Sequence, residues 1–371
     1  MLSRRQFTSR AVVATALAGL KGFSGLYAAE PKRKRASRYI DVHTHIGTTW
    51  NGNKELTPKG LLDWMDEHDI EKSVLLPLTS PESSSFLLLT EPALKAAKEH
   101  PERFIPFCSI DPRTSVRGGV KGFISIIQHW VDQGARGFGE HKVGLNFDDP
   151  LMMQIYAACS EVGIPLLFHL DALRGKDTPG LPRLEHAIKT FPKLNFIGHG
   201  PGWWASISSD CKNLGAYPKG PVTPGGAIDR LMERYPNIYG DLSAGSGANS
   251  ISRDMEFGRG FLVRRQDRVM FGTDYLQPGQ REGDVQHGPS DRNRTTRRTV
   301  RTGNIRLSRW LKPLGPPART RRPSARPRSR PKNVRQHAGG HACRSAAARP
   351  RRRPAVVKTA PTRRETRPAG R

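Results

Sequence analysis

The stretch Tyr39-Ile40-Asp41-Val42-His43-Thr44-His45 decides how the rest of the chain is read. It is a short β-branched, apolar run that ends in two histidines one residue apart. Side chains on a strand alternate faces, so His43 and His45 point the same way from the strand's C-terminal end. Two imidazoles converging there make half of a metal site. An H-x-H at a strand end is by itself also an ordinary surface feature. Three later runs of the same character weigh against that: Pro165-Leu166-Leu167-Phe168-His169, Asn195-Phe196-Ile197-Gly198-His199 and Val269-Met270-Phe271-Gly272-Thr273-Asp274 each close on a histidine or an aspartate.

Outward from these runs, strand-like and helix-like segments alternate. Thr57 to His68 carries Leu61, Leu62, Trp64 and Met65 at helical spacing behind a Thr-Pro start, and Ser73 to Leu78 follows as a continuous apolar strand. Helices are expected at Glu91 to His100, Gly119 to Gln133 and Pro150 to Val162, with strands at Phe104 to Ile110 and Gly137 to Lys142. Strands five and six end at His169 and His199, with a helix at Leu181 to Phe191 between them. A long Gly- and Trp-containing loop leads to a helix at Ala227 to Tyr235, strand seven at Ile238 to Asp241 and a helical segment near Arg253 to Val263. Strand eight ends at Asp274.

Eight strand candidates alternating with helices predict an α/β fold, a (β/α)8 TIM barrel over residues 39–280. Strands buried on both faces account for the near-continuous apolar runs. A doubly wound open sheet is the rival, and it lacks its G-x-G-x-x-G after the first strand. A chain of 371 residues holds one barrel of about 250 residues plus extensions.

The formal net charge of +28 suggests nucleic-acid binding until the charge is located. Residues 281–371 hold 27 of the 61 Lys and Arg but four of the 33 Asp and Glu, so +23 of the +28 lies there. That segment is an Arg/Pro-rich, low-complexity tail that cannot bury a core and is expected to be disordered. It reads as a polyanion-binding tail, a linker, or the frame-shifted end of a GC-rich gene; the abrupt change where the eighth helix belongs favours the last. Arg-rich sequence without interleaved aromatics gives unspecific, salt-sensitive binding, so no specific nucleic-acid partner is expected. Residues 1–30 resemble a twin-arginine export signal, Ser3-Arg4-Arg5-Gln6-Phe7 ahead of the apolar Ala11 to Leu20, with Thr8, Ser9 and Lys21 departing from the pattern. An exported, periplasmic enzyme follows from that reading, with residues 31–38 as a basic linker. No stable membrane span is expected. Cys108, Cys159, Cys211 and Cys343 show no paired spacing, so no disulfide framework is expected and they read as core thiols rather than ligands or nucleophiles.

Barrel enzymes place their chemistry where strands end, at the C-terminal face. His43, His45, His169 and Asp274 are therefore expected to converge on one divalent ion. Nitrogen and carboxylate donors suit zinc, and manganese or iron tolerate the same set. A water in the open position, with its pKa lowered toward about 7, would be the nucleophile of a hydrolysis. His199 is expected as the general base or the group that orients water and substrate. Glu140 and Lys142 share a face at the end of strand four. Lys142 is a candidate to bind a substrate carboxylate or, carbamylated, to bridge a second metal; Glu140 is a further ligand or the ion-pair partner of Lys142. Arg174 is a candidate anion clamp. Trp203, Trp204 and Tyr275 are candidates to wall the pocket. His68, His100, His129, His141 and His186 fall on helices or off the facing set and are expected to be structural.

His43-Thr44-His45, His169, His199 and Phe271-Gly272-Thr273-Asp274, in this order, resemble the amidohydrolase superfamily. The likeness is greater to its amidohydrolase-related branch, which contains aminocarboxymuconate-semialdehyde decarboxylase, resorcylate decarboxylases and pyrone-dicarboxylate lactonases. The resemblance spans about Tyr39 to Tyr275 and implies His43, His45, His169 and Asp274 as metal ligands, with His199 catalytic. It implies a divalent cation, usually zinc, and either hydrolysis or non-oxidative decarboxylation of a small, carboxylated substrate. A metal-dependent hydrolase of an amide, ester or lactone is the leading expectation and a decarboxylase using the same site the alternative. An inactive barrel with a polyanion-binding tail is a third. The family's final barrel helix has no counterpart after Gln280.

Overall fold

The computed structural model describes residues 39–280. The expected signal over residues 1–30, the linker 31–38 and the basic tail 281–371, with its frame-shift reading, lie outside the described residues.

Chain order and strand order coincide. β1 (Tyr39–Thr44), β2 (Ile70–Leu75) and β3 (Phe104–Pro106) form one parallel arc. β4 (Phe138–His141), β5 (Leu166–His169), β6 (Phe196–His199), β7 (Ile238–Asp241) and β8 (Val269–Met270) form the other, also parallel. Parallel bridges Cys108 to Phe138 and Thr44 to Tyr275 join the arcs at both seams. The Gly139 N–H donates to Cys108 O at 2.9 Å, and the Val42 N–H to Phe271 O at 3.0 Å. The eight strands thus close into the expected barrel.

Helices connect successive strands: α1 (Pro58–Glu67), α2 (Thr90–Glu99), α3 (Val120–Asp132), α4 (Pro150–Val162) and α5 (Pro182–Thr190). α6 (Pro201–Ala205) and α7 (Ala227–Arg234) follow β6, and α8 (Ala244–Ser252) and α9 (Met255–Arg264) follow β7. Local chemistry starts and stops them. The Thr57 hydroxyl accepts from the Gly60 N–H at 3.1 Å ahead of Pro58, and Asp149 accepts from the Leu151 N–H at 2.9 Å ahead of Pro150. α4 ends where Gly163 turns left-handed, φ 81°.

Inside the barrel, Val42, Val74, Leu76, Ile105, Phe107, Leu167, Ile197 and Met270 form one buried cluster, drawn from strands around the whole circumference. Their opposite faces meet the helices in a larger cluster that includes Phe138, Leu166, Phe168, Phe196, Ile238 and Val269. Burial on both faces is the reason the strands carry apolar runs rather than strict alternation.

Five elements differ from expectation, among them β8, which ends at Met270 rather than at Asp274. β2 and β3 stop within two residues of Pro77 and Pro106, whose missing N–H cannot extend a ladder. α6 lies where a loop was expected, and α8 arises from a Gly- and Ser-rich segment of poor helix propensity. Burial decides α8: Ser246, Gly247, Ala248, Asn249, Ser250 and Ile251 are all buried. Its neighbour comes close because α9 has Gly258, where a Cβ would lie 2.1 Å from Ile251 O. Cys108 and Cys159 are buried free thiols, as expected, whereas Cys211 is free but only half-buried, outside the core. Among the described residues no helix is long and apolar enough to cross a membrane.

Candidate metal centre

His43 and His45 leave β1 on the same side and both are buried. His45 Nδ1 lies 2.8 Å from Leu76 O, a carbonyl that can only accept, so this nitrogen carries the proton. His43 Nδ1 lies 2.6 Å from Asp241 Oδ2. Burial pushes the Asp241 carboxyl up, but the His43 and His199 rings beside it outweigh burial and hold it well below the usual carboxylate range, ionised. His43 Nδ1 therefore also donates. The two Nε2 atoms face each other at 3.2 Å, a hydrogen-bond distance; burial pulls the His43 imidazole down, but Asp274 and Asp241 outweigh burial and hold it well above its ordinary range, so without a cation His43 Nε2 carries the proton between them.

Carboxylates surround that pair. Asp274 Oδ1 is 3.5 Å from His43 Nε2 and 3.3 Å from His45 Nε2; Glu140 Oε2 is 3.7 and 3.6 Å from the same atoms. Glu140 is 2% exposed and its Oε2 has no hydrogen-bond partner. Burial opposes the charge on Glu140, yet Lys142 and the neighbouring histidines hold its carboxyl well below the ordinary range. An ionised, buried oxygen without a donor is costly unless a cation faces it. These donors fit a divalent ion.

Asp274 reaches inward from a left-handed backbone, φ 58°, uncommon outside glycine and clustered at functional sites. Its N–H donates to His43 O at 2.9 Å and its carbonyl accepts from Gln280 Nε2 at 3.0 Å, which hold that conformation. Asp41 joins the same turn to β1. Its Oδ1 accepts from the His43 and Thr273 N–H groups at 3.0 and 3.1 Å, and burial pushes its carboxyl up to about 7.

His169 and His199 stand opposite each other in the β5–β6 register. Their surroundings differ. His169 Nδ1 is 2.8 Å from Glu140 Oε1 and its Nε2 is 2.8 Å from Asp171 Oδ2, so both nitrogens are engaged. Its ligand atom lies within 4.8 Å of those of Glu140 and His199. His199 Nδ1 is 2.8 Å from Ser243 Oγ, and that hydroxyl donates its single proton to Asp241 Oδ2 at 2.8 Å. Ser243 must then accept from His199 Nδ1, which leaves a lone pair on His199 Nε2, 3.8 Å from Glu140 Oε1. Burial pushes the His199 imidazole down, toward its neutral form.

Lys142 is 8% exposed; its Nζ lies 3.7 Å from Glu140 Oε1 and 5.6 Å from the Trp50 ring centre. Arg174 turns its Nε onto Asp171 Oδ2 at 2.9 Å, with Nη2 on the same oxygen, so its fork is spent inside the protein rather than open to an anion. Trp203, expected at the pocket wall, is instead fully buried in the core, its ring filling the space where a Gly198 Cβ would stand. Trp204 is buried too and donates Nε1–H to Asp241 O at 2.8 Å, while Tyr275 stacks on Trp64 at 4.1 Å. The two tryptophans fill the room that Gly198 and Gly240 leave beside the strands. His141 is buried, with its Nε2 3.1 Å from Met152 Sδ.

Asp171, Asp241, Ser243 and Trp50 were not singled out from sequence. Asp171 and Asp241 do share one signal with the residues that were: each stands at or just past a strand end.

A closed parallel barrel with convergent imidazoles and carboxylates at its C-terminal mouth defines a barrel enzyme with a candidate metal centre. Residues 88–304, more than half of the chain, match the family described as "Amidohydrolase". The chain belongs to this family and is an enzyme of the hydrolase or decarboxylase type. An uncharacterized TIM-barrel protein from Bordetella bronchiseptica is similar at 19% identity and TM-score 0.43, over 64% of this chain and 85% of that one. A probable 2-pyrone-4,6-dicarboxylic acid hydrolase from Acinetobacter baumannii, with citric acid bound, is similar at 14% identity and TM-score 0.46, over 71% and 92%. A 5-carboxyvanillate decarboxylase from Novosphingobium aromaticivorans, complexed with manganese and a nitrobenzoic acid, shows 16% identity and TM-score 0.38, over 64% and 86%. No curated protein matches the chain.

Proposed function

We propose that this enzyme is a metal-dependent hydrolase that opens an amide, ester or lactone carbonyl in a small carboxylated substrate. The observation that carries the reading is the approach of His43 Nε2 and His45 Nε2 to 3.2 Å, with carboxylate oxygens of Asp274 and Glu140 around them. A metal ion there would take the place of the proton that the two nitrogens otherwise share. His43, His45 and Asp274 would hold it, completed from the Glu140 and His169 pair. A divalent ion there, zinc first and manganese or iron on the same donors, supplies Lewis-acid polarisation of the carbonyl.

The chain's own residues do the rest. His199 Nε2 accepts the proton of the attacking water, and the Ser243 hydroxyl and Asp241 carboxylate behind Nδ1 stabilise the imidazolium that results. The same nitrogen returns the proton to the leaving oxygen or nitrogen. Lys142, an ammonium held at the mouth between Glu140 and Trp50, pairs with the substrate carboxylate.

The test has two arms. Elemental analysis of the purified chain should find about one divalent ion per molecule, and none in a His43→Ala, His45→Ala double variant; equal occupancy in both would sink the metal assignment. Turnover is then followed on carboxylated lactones, esters and amides, with acid release and carbon dioxide measured together. Acid without carbon dioxide supports hydrolysis, whereas carbon dioxide release would make the enzyme a decarboxylase on the same site.

We also propose, from sequence alone, that residues 1–30 direct export. A reporter fused after Ala29 should leave the cytoplasm, and unchanged export of an Arg4→Lys, Arg5→Lys variant would refute the twin-arginine route.

A further inference from the structure

We propose that Tyr217 is a further catalytic residue, whose phenol O–H donates to the oxygen of the scissile carbonyl as that oxygen gains negative charge. This rests on the hydrolase reading above and adds to it the group of this chain that recognises the reacting carbonyl.

Tyr217 belongs to the loop between α6 and α7, and packing fixes that loop from two sides. Leu214 is buried in the large core cluster, so close to α6 that a Cβ on Gly202 would stand 2.7 Å from its carbonyl oxygen. A Cβ on Gly215 would lie 3.2 Å from the Cβ of Ala172, the residue after Asp171. On the other side Pro218 O accepts from Asn249 Nδ2 of α8 at 3.0 Å. Arg253 Nη1 then donates to Gly220 O and Pro221 O, both at 3.1 Å. Residues 214–218 therefore bridge from the end of β5 to the helix that follows β7, and Tyr217 lies between the two anchorages rather than at the tip of a free loop.

The neighbours of the phenol put it at the barrel mouth. The charges of Asp274, after β8, and of Asp171 and Arg174, after β5, all act on it. The side chain is half-buried, yet among the described residues its hydroxyl has no hydrogen-bond partner. A phenol withdrawn from water ordinarily finds an acceptor. Lys142 already meets the substrate carboxylate, so the acceptor left for Tyr217 is the reacting carbonyl.

The charge state suits that role. Burial, with the Asp274 and Asp171 charges behind it, pushes the phenol up to about 12, so the group keeps its proton and donates. A hydrogen bond to an ionised acceptor is roughly twice as strong as one to a neutral acceptor, so the gain falls on the transition state. As the water oxygen bonds to the carbonyl carbon, its proton passes to His199 Nε2 and the C=O π pair moves onto the oxygen facing Tyr217. When that pair returns, the bond to the leaving oxygen or nitrogen breaks and the leaving atom takes the proton from His199. Tyr217 keeps its own proton throughout.

Tyr217→Phe retains the ring and removes only the hydroxyl. On the lactone or ester that the zinc-loaded wild-type chain hydrolyses, kcat should fall by about 10²- to 10³-fold while KM stays within about twofold. Zinc content and the thermal midpoint should not change. A wild-type kcat, or a raised KM with kcat unchanged, would overturn the proposal. A second readout needs no turnover. Methylphosphonate, a stable tetrahedral anion, is titrated calorimetrically into the zinc-loaded chain and should bind Tyr217→Phe about 10-fold more weakly than wild type. Equal affinities would overturn the proposal and leave the hydrolase reading intact. Carbon dioxide release by the wild-type chain would instead remove that reading, and this inference with it.

Discussion

Asp241 Oδ2 stands 2.6 Å from His43 Nδ1, although 198 positions separate the two residues in the chain. The contact does more than brace a ring. It sets which nitrogen of His43 is protonated, and the same oxygen takes the Ser243 hydroxyl that sets the tautomer of His199. One carboxylate on β7 therefore orients both the nitrogen offered to a cation and the nitrogen offered to a substrate proton.

Replacing Asp241 by Asn tests this control. Asp241 Oδ1 accepts from the Ser243 N–H at 2.9 Å, so the amide oxygen should stay there and turn its NH2 toward His43. His43 would then have to accept at Nδ1 and carry its proton on Nε2. Cation affinity should drop by roughly 10- to 100-fold, read by calorimetric titration, with the far-ultraviolet circular dichroism unchanged. Wild-type affinity in Asp241→Asn would show that the tautomer is set elsewhere.

His199 should matter for turnover and not for the ion. His199→Asn is expected to reduce kcat by about 10² to 10⁴ while elemental analysis finds the cation retained. Ser243→Ala removes the acceptor behind Nδ1 together with the hydroxyl donor to Asp241 Oδ2, and should lower kcat less and shift its pH profile. Loss of the ion from His199→Asn would place this histidine among the ligands.

The close α8–α9 packing gives a stability prediction. A methyl at position 258 would stand 2.1 Å from Ile251 O, whereas at position 260 it would meet only the flexible Arg264 Nη1, at 3.2 Å. Gly258→Ala should destabilise by about 1–3 kcal/mol. Gly260→Ala should be neutral or stabilise by up to ~1 kcal/mol through helix propensity. Thermal melts of the two variants side by side decide it; a harmless Gly258→Ala would mean the helices can separate.

Glu185 ties α5 to α7 through Arg230, Arg234 and Tyr235. Burial raises its carboxyl, but those partners outweigh burial and hold it down at about 2. A depressed carboxylate contributes stability that is complete above its unfolded pKa, about 4.3, and is lost as pH falls toward 2. Glu185→Gln should therefore lower the urea midpoint at pH 6 more than at pH 3. Equal losses at both values would mean the ion pairs contribute nothing there.

Much of the site was legible because the barrel turns a one-dimensional signal into a spatial one. Parallel strands in sequence order bring their C-terminal ends to one rim, so a polar residue closing an apolar run is already a rim residue; His43, His45, His169, His199 and Asp274 were found this way. Trp203 and Arg174 misled for the opposite reason. A loop aromatic and a loop arginine carry no mark of whether they face a pocket or the protein, and here Gly198 and Asp171 draw them inward.

By itself the sequence determined the eight-stranded parallel barrel and the short set of rim residues, since hydrophobic periodicity and strand order are local properties that each segment carries alone. The tertiary structure decided what each rim residue does. Whether His169 is free to bind an ion depends on Asp171 and Glu140, and which nitrogen His43 presents depends on Asp241. Lone pairs, tautomers and unpartnered oxygens are properties of contacts between distant segments, and those contacts exist only once the barrel has closed.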